Sequence, residues 1–461
     1  MNKMSLEEYN AMPVKSAVFQ NALPAMCTML LALVYNLADT LFIGMTHDPI
    51  QLAAISLTTP LFMMFSAVSN IFGMGGTSVI SRAMGQKRAE YSKKVSSFCM
   101  WTAVGIGVIL AAVFCIFAEP ILNVLGASAD TLPHASSYLV IVAFSAPFSM
   151  ISGTFSKILT AEGQPKKAMI GISAGNLLNI ILDPIFILGF HWDVTGAAIA
   201  TLISNVIAAG YYLWYFLSKK SSLSISIKDY SAKDKICSSV LSIGIPAALG
   251  SIVMGVSVMV VNNLMAGYGD MALAGSGVAT KVAMVTSTLC IGVGQGSQPL
   301  LGYCVGAKQW KRYKETFRFS LVFAFVVGVI MTGLCYIFTG QLVGMFLTDS
   351  NAFDYAFRFT RILLTTSALF GIFYVFQNSL QAMGAAVSAL LVNISRQGLI
   401  YIPMIYVMNS MLGVDGILWA QPVADVLSLI LAVILYYISY GRKIRQSDGI
   451  ARGNMKVKSI R

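Results

Sequence analysis

Long apolar segments alternate with short polar turns along almost the whole chain. A helix needs about 20 residues to cross a bilayer, and each apolar segment is at least that long. The pattern predicts an all-α membrane protein with twelve transmembrane helices, numbered as spans 1–12 in chain order. The predicted spans are 17–44, 52–81, 95–118, 134–160, 168–190, 194–217, 236–266, 271–304, 315–338, 356–382, 386–409 and 416–440.

Composition agrees with this pattern. Of the 461 residues, 57% are hydrophobic and only 11% are charged, whereas an ordinary soluble domain has about 25% charged residues. These values exclude a disordered protein, a nucleic-acid binder and a typical soluble enzyme.

The distribution of basic residues predicts the orientation in the membrane. The turns after spans 2, 4 and 8, the segment 218–235 and the two termini carry 27 of the 31 Lys and Arg residues. The opposite turns carry acidic residues and the histidines His47, His134 and His191. Because cytoplasmic loops collect Lys and Arg, both termini are predicted to be cytoplasmic in a multi-pass protein of a bacterial inner (cytoplasmic) membrane.

The two halves of the chain repeat each other. Short motifs recur at offsets of 220 to 222 residues: 23–25 with 245–247, 85–87 with 306–308, 161–163 with 382–384, and Gly196 with Gly416. Because each half has an even number of spans, a pseudo-two-fold axis along the membrane normal should relate the halves. We expect an N-terminal lobe at 1–217, a cytoplasmic linker at 218–235, a C-terminal lobe at 236–440 and a basic cytoplasmic tail at 441–461.

Ionisable residues within membrane spans are costly and are candidates for function. Asp39 in span 1, Asp183 in span 5 and Thr201 in span 6 fall at similar depth, about 7–11 Å below the outer boundary at 1.5 Å per residue. They can therefore meet at one level of the N-terminal lobe.

Polar neighbours on the right helix faces strengthen this site. Asn176 and Asn179 share one face of span 5 with Asp183, at spacings i, i+3 and i+7. Two carboxylates repel each other in a low dielectric, and a bound Na⁺ or a shared proton would relieve the repulsion. The alternative is that the two acids only cap or bridge helices. The predicted cation or proton ligands are Tyr35, Asp39, Asn176, Asn179, Asp183 and Thr201.

The C-terminal lobe contains three further intramembrane charges. Lys281 and Asp425 lie at similar depth, and we expect them to form a neutralising pair, with Arg396 facing either this pair or a central cavity. Met side chains adapt to varied apolar shapes and suit a promiscuous cavity. The predicted cavity residues are Asn205, Met63, Met254, Gln377, Lys281, Arg396 and Asp425.

Three stretches resemble the multidrug and toxic compound extrusion (MATE) family, in its MepA-like bacterial branch. They are LPAMCTMLLALVYNLADTLFIG (23–44), AEGQPKKAMIGISAGNLLNIILDPIFILG (161–189) and TGAAIAT (195–201). The resemblance implies the fold of that family and an ion site, holding H⁺ or Na⁺, at Asp39, Asn179, Asp183 and Thr201. Some members carry acidic residues in the seventh and tenth helices. This chain has Asn262, Asn263, Gln377, Asn378 and Gln381 there, which favours the N-terminal site.

The resemblance also implies a function. We expect an H⁺- or Na⁺-coupled antiporter, not an enzyme, which exports organic and often cationic aromatic drugs by alternating access and confers antibiotic resistance. The resemblance implies a monomer that needs no cofactor. Its partners should be membrane lipids and small-molecule drugs, and not nucleic acid.

Three alternative classes of membrane protein match the sequence less well. A lipid-linked oligosaccharide flippase of the same superfamily would need several basic side chains in its cavity, and only Lys281 and Arg396 qualify. A carrier of the major facilitator type usually has a longer central loop. An intramembrane enzyme needs a nucleophile–base pair or a metal triad, whereas the three histidines lie in separate outer turns.

Overall fold

A computed structural model describes residues 12–44, 49–218, 220–347 and 350–458. His47, one of the three outer-turn histidines, lies outside these residues. So do Lys219 of the predicted linker and the ends of the chain at 1–11 and 459–461, which belong to the predicted lobe and tail.

The described residues form helices joined by short turns. Two helices continue into a turn of π-helix, Ile185–Gly189 after α6 and Ser395–Leu399 after α14. The α-helices are α1 Val14–Gly44, α2 Pro49–Gly85, α3 Ala89–Ile116, α4 Ala118–Val124, α5 Thr131–Ala161, α6 Pro165–Pro184, α7 Asp193–Leu217, α8 Ile236–Ala266, α9 Asp270–Gly306, α10 Trp310–Ile337, α11 Thr339–Gly344, α12 Ser350–Leu364, α13 Ser367–Met383, α14 Ala386–Ile394, α15 Tyr401–Leu412 and α16 Val414–Lys458.

The helix lengths confirm the predicted fold class. Within the described ranges, 11 helices or helix pairs that continue one another are long and apolar enough to cross a membrane. The count becomes 12 if the bent pair α12 and α13 forms one span. Span 7 has the predicted bounds, since α8 is Ile236–Ala266.

Three spans predicted to be continuous are interrupted. Span 10 breaks at residues 365–366 with a bend of 45°, where the Thr365 hydroxyl donates to the Ile362 carbonyl and so competes with the helical hydrogen bonds. Span 5 changes to π-helix after Pro184, because proline has no N–H to continue the ladder. Span 11 changes to π-helix at Ser395–Leu399. Apolar periodicity did not predict any of these breaks.

The residues group into two compact units. The first contains Cys27–Ala83 and Arg88–Ala248, and the second contains Met84–Lys87, Leu249 onward and the start of α1 up to Met26. The lobe boundaries drawn from the sequence remain a prediction.

Close packing of α6 on α7 sets the frame of the first unit. A Cβ atom at Gly171 would lie 2.4 Å from Cζ of Tyr212, so only glycine leaves room for this ring. The fully buried Tyr212 donates its hydroxyl to the Ala168 carbonyl at 2.6 Å. This contact fixes the two helices that carry most of the predicted ion ligands.

The linker is bound to the first unit. The buried Glu162 accepts hydrogen bonds from the hydroxyls of Ser221 and Ser222, both at 2.8 Å. Farther along, the Ser97 hydroxyl on α3 donates to the Ser226 carbonyl at 2.7 Å. The segment therefore follows the surface of this unit instead of forming a free tether.

Candidate cation-binding site

Three helices of the first unit position the predicted ion ligands. Tyr35 and Asp39 lie on α1, the pair Asn179 and Asp183 on α6, and Thr201 on α7. Burial is deepest on α6 and α7: Asp183 is 0% exposed, Asn179 2% and Thr201 6%. The i and i+4 positions on α6 point in one direction, which brings the amide next to the carboxylate.

Hydrogen bonds connect the three helices. With its amide oriented to satisfy both neighbours, Asn179 donates to Oδ2 of Asp183 at 2.8 Å and accepts from the Thr201 backbone N–H at 3.2 Å. The hydroxyls of Tyr35 and Thr201 share a hydrogen bond, which joins α1 to α7. Asp39 lies close enough to Asp183 for the two carboxylates to interact electrostatically. A cation bound at Asp183 would therefore change the electrostatic interaction with Asp39 on α1.

Asp183 retains one oxygen that no hydrogen bond satisfies. Its Oδ1 atom is buried and has no hydrogen-bond partner among the described residues. A buried carboxylate oxygen without a partner is energetically costly, and the charge of Asp39 nearby increases that cost. A bound cation or a proton would relieve both.

A small cavity lies beside these ligands, with a volume of about 60 Å³. That is room for water or an ion, whereas drug sites measure about 300–1,000 Å³. Within the described ranges, no group of three or more His, Cys, Asp or Glu side chains could hold a metal ion. The lining residues are Tyr35, Ser152, Ile172, Gly175, Asn176, Asn179, Thr201, Ser204, Asn205 and Ala208.

Three polar residues of this site were not predicted from the sequence: Ser152 and Ser204, which line the cavity, and Tyr138. Ser204 lines the cavity with a buried hydroxyl that has no hydrogen-bond partner among the described residues, and its i+3 spacing from Thr201 could have indicated it. The buried Tyr138 on α5 interacts electrostatically with Asp39 and Asp183. No spacing rule indicates Tyr138, because only helix packing brings α5 to the site.

The predicted pairing of Lys281 with Asp425 is wrong. Asp425 forms its ion pair with Arg396, at 2.8 Å between Oδ1 and Nε, while the Lys281 ammonium lies 5.7 Å from the centre of the Phe346 ring. Depth alone suggested the Lys281 pair, but depth does not determine which face of a helix a side chain occupies. The π-helical turn that contains Arg396 changes that face.

The other predicted cavity residues have separate environments. Met63 and Met254 are 45% and 44% exposed. Gln377 is buried and donates to Oδ1 of Asn393 at 2.7 Å, and Asn205 donates to the Thr201 carbonyl at 3.0 Å. A role for these residues in drug binding remains a prediction.

A duplicated helical membrane fold with carboxylates buried in its spans is the architecture of membrane transporters. The MatE family model matches residues 24–185 and 246–407, one copy in each half of the chain. The chain therefore belongs to the MatE family.

Curated relatives and solved structures agree with this family assignment. The chain is 34% identical over 453 residues to "Multidrug export protein MepA" of Staphylococcus aureus (strain MSSA476), covering 98% of this chain and 100% of that protein. It is 34% identical over 421 residues to the protein of the same name from Staphylococcus haemolyticus (strain JCSC1435), covering 91% and 93%. These relatives confirm the predicted MepA-like branch and a transporter rather than an enzyme.

Among solved structures, the fold matches the "Outward-facing conformation of a multidrug resistance MATE family transporter of the MOP superfamily" with a TM-score of 0.89 and 21% identity, covering 96% of this chain and 98% of that one. It matches the "Crystal structure of MATE in complex with MaL6" with a TM-score of 0.89 and 22% identity, covering 95% and 98%. At these identities the similarity shows the fold, and it confirms the fold predicted from the sequence.

Proposed function

We propose that this protein is a multidrug efflux antiporter that exports organic, often cationic aromatic compounds by alternating access, driven by an H⁺ or Na⁺ gradient. The observation that carries the proposal is the buried Oδ1 atom of Asp183, which has no hydrogen-bond partner in the described part of the chain and lies near Asp39. Support for drugs as the cargo comes from the relatives, which are named multidrug export proteins.

The ion site links coupling to helix movement. A cation or proton at Asp183 reduces the repulsion from Asp39, and Tyr35 transmits the change to α1 through its hydrogen bond with Thr201. We propose that the resulting change in α1 lowers the affinity for drug. Because coupling between two binding events is reciprocal, bound drug lowers the affinity for the ion by the same factor. Drug and ion then exclude each other, which is what antiport requires.

The proposed setting follows from charge and composition. Both termini face the cytoplasm, because 27 of the 31 basic residues lie on their side of the chain. The membrane is a bacterial cytoplasmic membrane, and the protein acts as a monomer without a prosthetic group. A flippase for anionic lipid-linked sugars is disfavoured, because the Arg396 charge is neutralised by Asp425.

Ethidium transport in membrane vesicles tests the proposal, with the Na⁺ gradient and the pH gradient imposed separately. We expect one of the two gradients to drive ethidium against its concentration difference, and collapse of that gradient to stop it. Vesicles that lack the protein provide the control. Ethidium accumulation that persists with both gradients collapsed, or that never exceeds the control, would contradict the proposal.

A further inference from the structure

Two helix interruptions in the second unit meet at one carboxylate. Thr366 stands at the 45° bend between α12 and α13, and Arg396 lies in the π-helical turn between α14 and α15. Both side chains bind Asp425 on α16. We propose that the Arg396–Asp425 ion pair is a hinge lock: a positioning pair that holds both interruptions against α16 and that drug efflux requires. Its role in efflux rests on the proposed function; its role in holding the helices does not.

The carboxylate of Asp425 is fully engaged. Its Oδ1 atom accepts from Nε of Arg396 at 2.8 Å and from Nε2 of Gln421 at 2.9 Å, and its Oδ2 atom accepts from the Thr366 hydroxyl at 3.1 Å. The side chains of the ion pair are 7% and 3% exposed. Asp183, in contrast, keeps one oxygen free of partners among the described residues. Asp425 is therefore suited to fix helices, while Asp183 is suited to take up an ion.

Arg396 extends the lock along α13. One guanidinium nitrogen donates to the Tyr374 hydroxyl at 3.2 Å, and the guanidinium carbon lies 4.4 Å from the centre of the Phe370 ring. Phe370 and Tyr374 are one and two turns beyond the bend. The ion pair thus holds both the first residues of α13 and its next two turns.

The bend has no covalent cause. Sharp helix kinks usually arise at proline, at Gly/Ser pairs, at π-bulges or where a side chain interrupts the hydrogen-bond ladder, and residues 362–369 contain no proline or glycine. The Thr366 hydroxyl donates to Asp425 instead of to a carbonyl of its own helix. We infer that this contact sets the bend together with the Thr365 hydroxyl, which donates to the Ile362 carbonyl, so loss of the carboxylate should allow α12 and α13 to change their angle.

A native cysteine provides the reporter. Cys290 on α9 is 0% exposed, its sulfur lies against the backbone N–H of Gly371, and it lies within electrostatic range of Arg396. In the full-length protein, reconstituted in lipid nanodiscs, all cysteines except Cys290 are replaced by serine. The rate of alkylation by N-ethylmaleimide then measures how often the region beside the bend opens.

We expect Asp425→Asn and Arg396→Met each to raise the alkylation rate of Cys290 at least tenfold. A matched reporter keeps only Cys99, which is also 0% exposed but belongs to the first unit, and its rate should not change. An unchanged Cys290 rate in both variants would overturn the proposal. So would an equal increase at Cys99, because that result indicates general unfolding.

The double variant Arg396→Met/Asp425→Leu separates positioning from stability. It leaves no uncompensated charge, and apolar replacements of buried ion pairs usually fold well. We expect it to melt like the parent, to alkylate faster at Cys290 and to export ethidium at least fivefold more slowly with unchanged ethidium binding. Parental alkylation together with parental efflux would overturn the proposal. Asp183→Asn should leave Cys290 unaffected, so failure of the ion site and failure of the lock are distinguishable.

Discussion

Replacement of Asp183 by asparagine removes the charge that the ion site needs while it preserves the shape of the side chain. The substitution eliminates the buried carboxylate oxygen that has no partner among the described residues. A contact between a cation and a carboxylate contributes about 1.5–3 kcal/mol. We therefore expect the apparent affinity for the coupling ion to fall about 10- to 100-fold.

The same substitution should not destabilise the fold. Asp183 is 0% exposed, and burial of a carboxylate without a matching positive charge costs several kcal/mol (roughly 3–5). A neutral amide avoids that cost and still reaches Asn179. The Asp183→Asn variant is thus expected to melt at or above the parent temperature while its apparent affinity for the coupling ion falls, as is common for residues kept for function at the expense of stability.

Ethidium efflux in vesicles, measured against a series of Na⁺ concentrations and pH values, provides the assay for Asp183→Asn. Asp193→Asn is the matched control: Asp193 starts α7 and has a positive φ of 49°, a conformation that asparagine also tolerates. Undiminished efflux with the parental ion dependence would contradict a role for the Asp183 carboxylate in ion binding. A melting temperature well below that of the parent would contradict the expectation that the buried charge destabilises the fold.

Three further substitutions test the surrounding structure. Thr201→Val removes the hydroxyl that binds Tyr35. Loss of this hydrogen bond, about 1 kcal/mol, should weaken the apparent ion affinity about fivefold. An unchanged ion dependence of efflux would contradict this expectation. Gly171→Ala places a Cβ atom 2.4 Å from the Tyr212 ring. Such overpacking costs about 1–3 kcal/mol of folding free energy and should lower the melting temperature. Thermal unfolding at the parental temperature would contradict this expectation. Glu162→Ala removes the acceptor that binds the hydroxyls of Ser221 and Ser222 in the linker. Limited trypsin digestion should therefore cut within segment 220–235 several times faster than in the parent. Equal cleavage rates would indicate that other contacts hold the linker.

The spacing rules could select the residues of the proposed ion site because they describe single helices. The spacing of Asn179 and Asp183 is a property of one helix, and helical rise places Thr201 at the same depth. The structure brings these side chains together with Tyr35. Tyr138 escaped prediction because it reaches the site from α5 through packing alone.

Hydropathy, repeat offset and helical spacing are encoded locally, so they were enough to predict the membrane class, the duplication and twelve spans, compared with 11 or 12 in the described residues. The residue types of the ion site remain a proposal. Helix packing, in contrast, determines that Asp425 pairs with Arg396 and not with Lys281, and that span 10 bends at residues 365–366. The physical reason is rotation about the helix axis. A π-helical turn or a side-chain hydrogen bond to another helix changes which face a residue occupies. Apolar periodicity predicts neither feature.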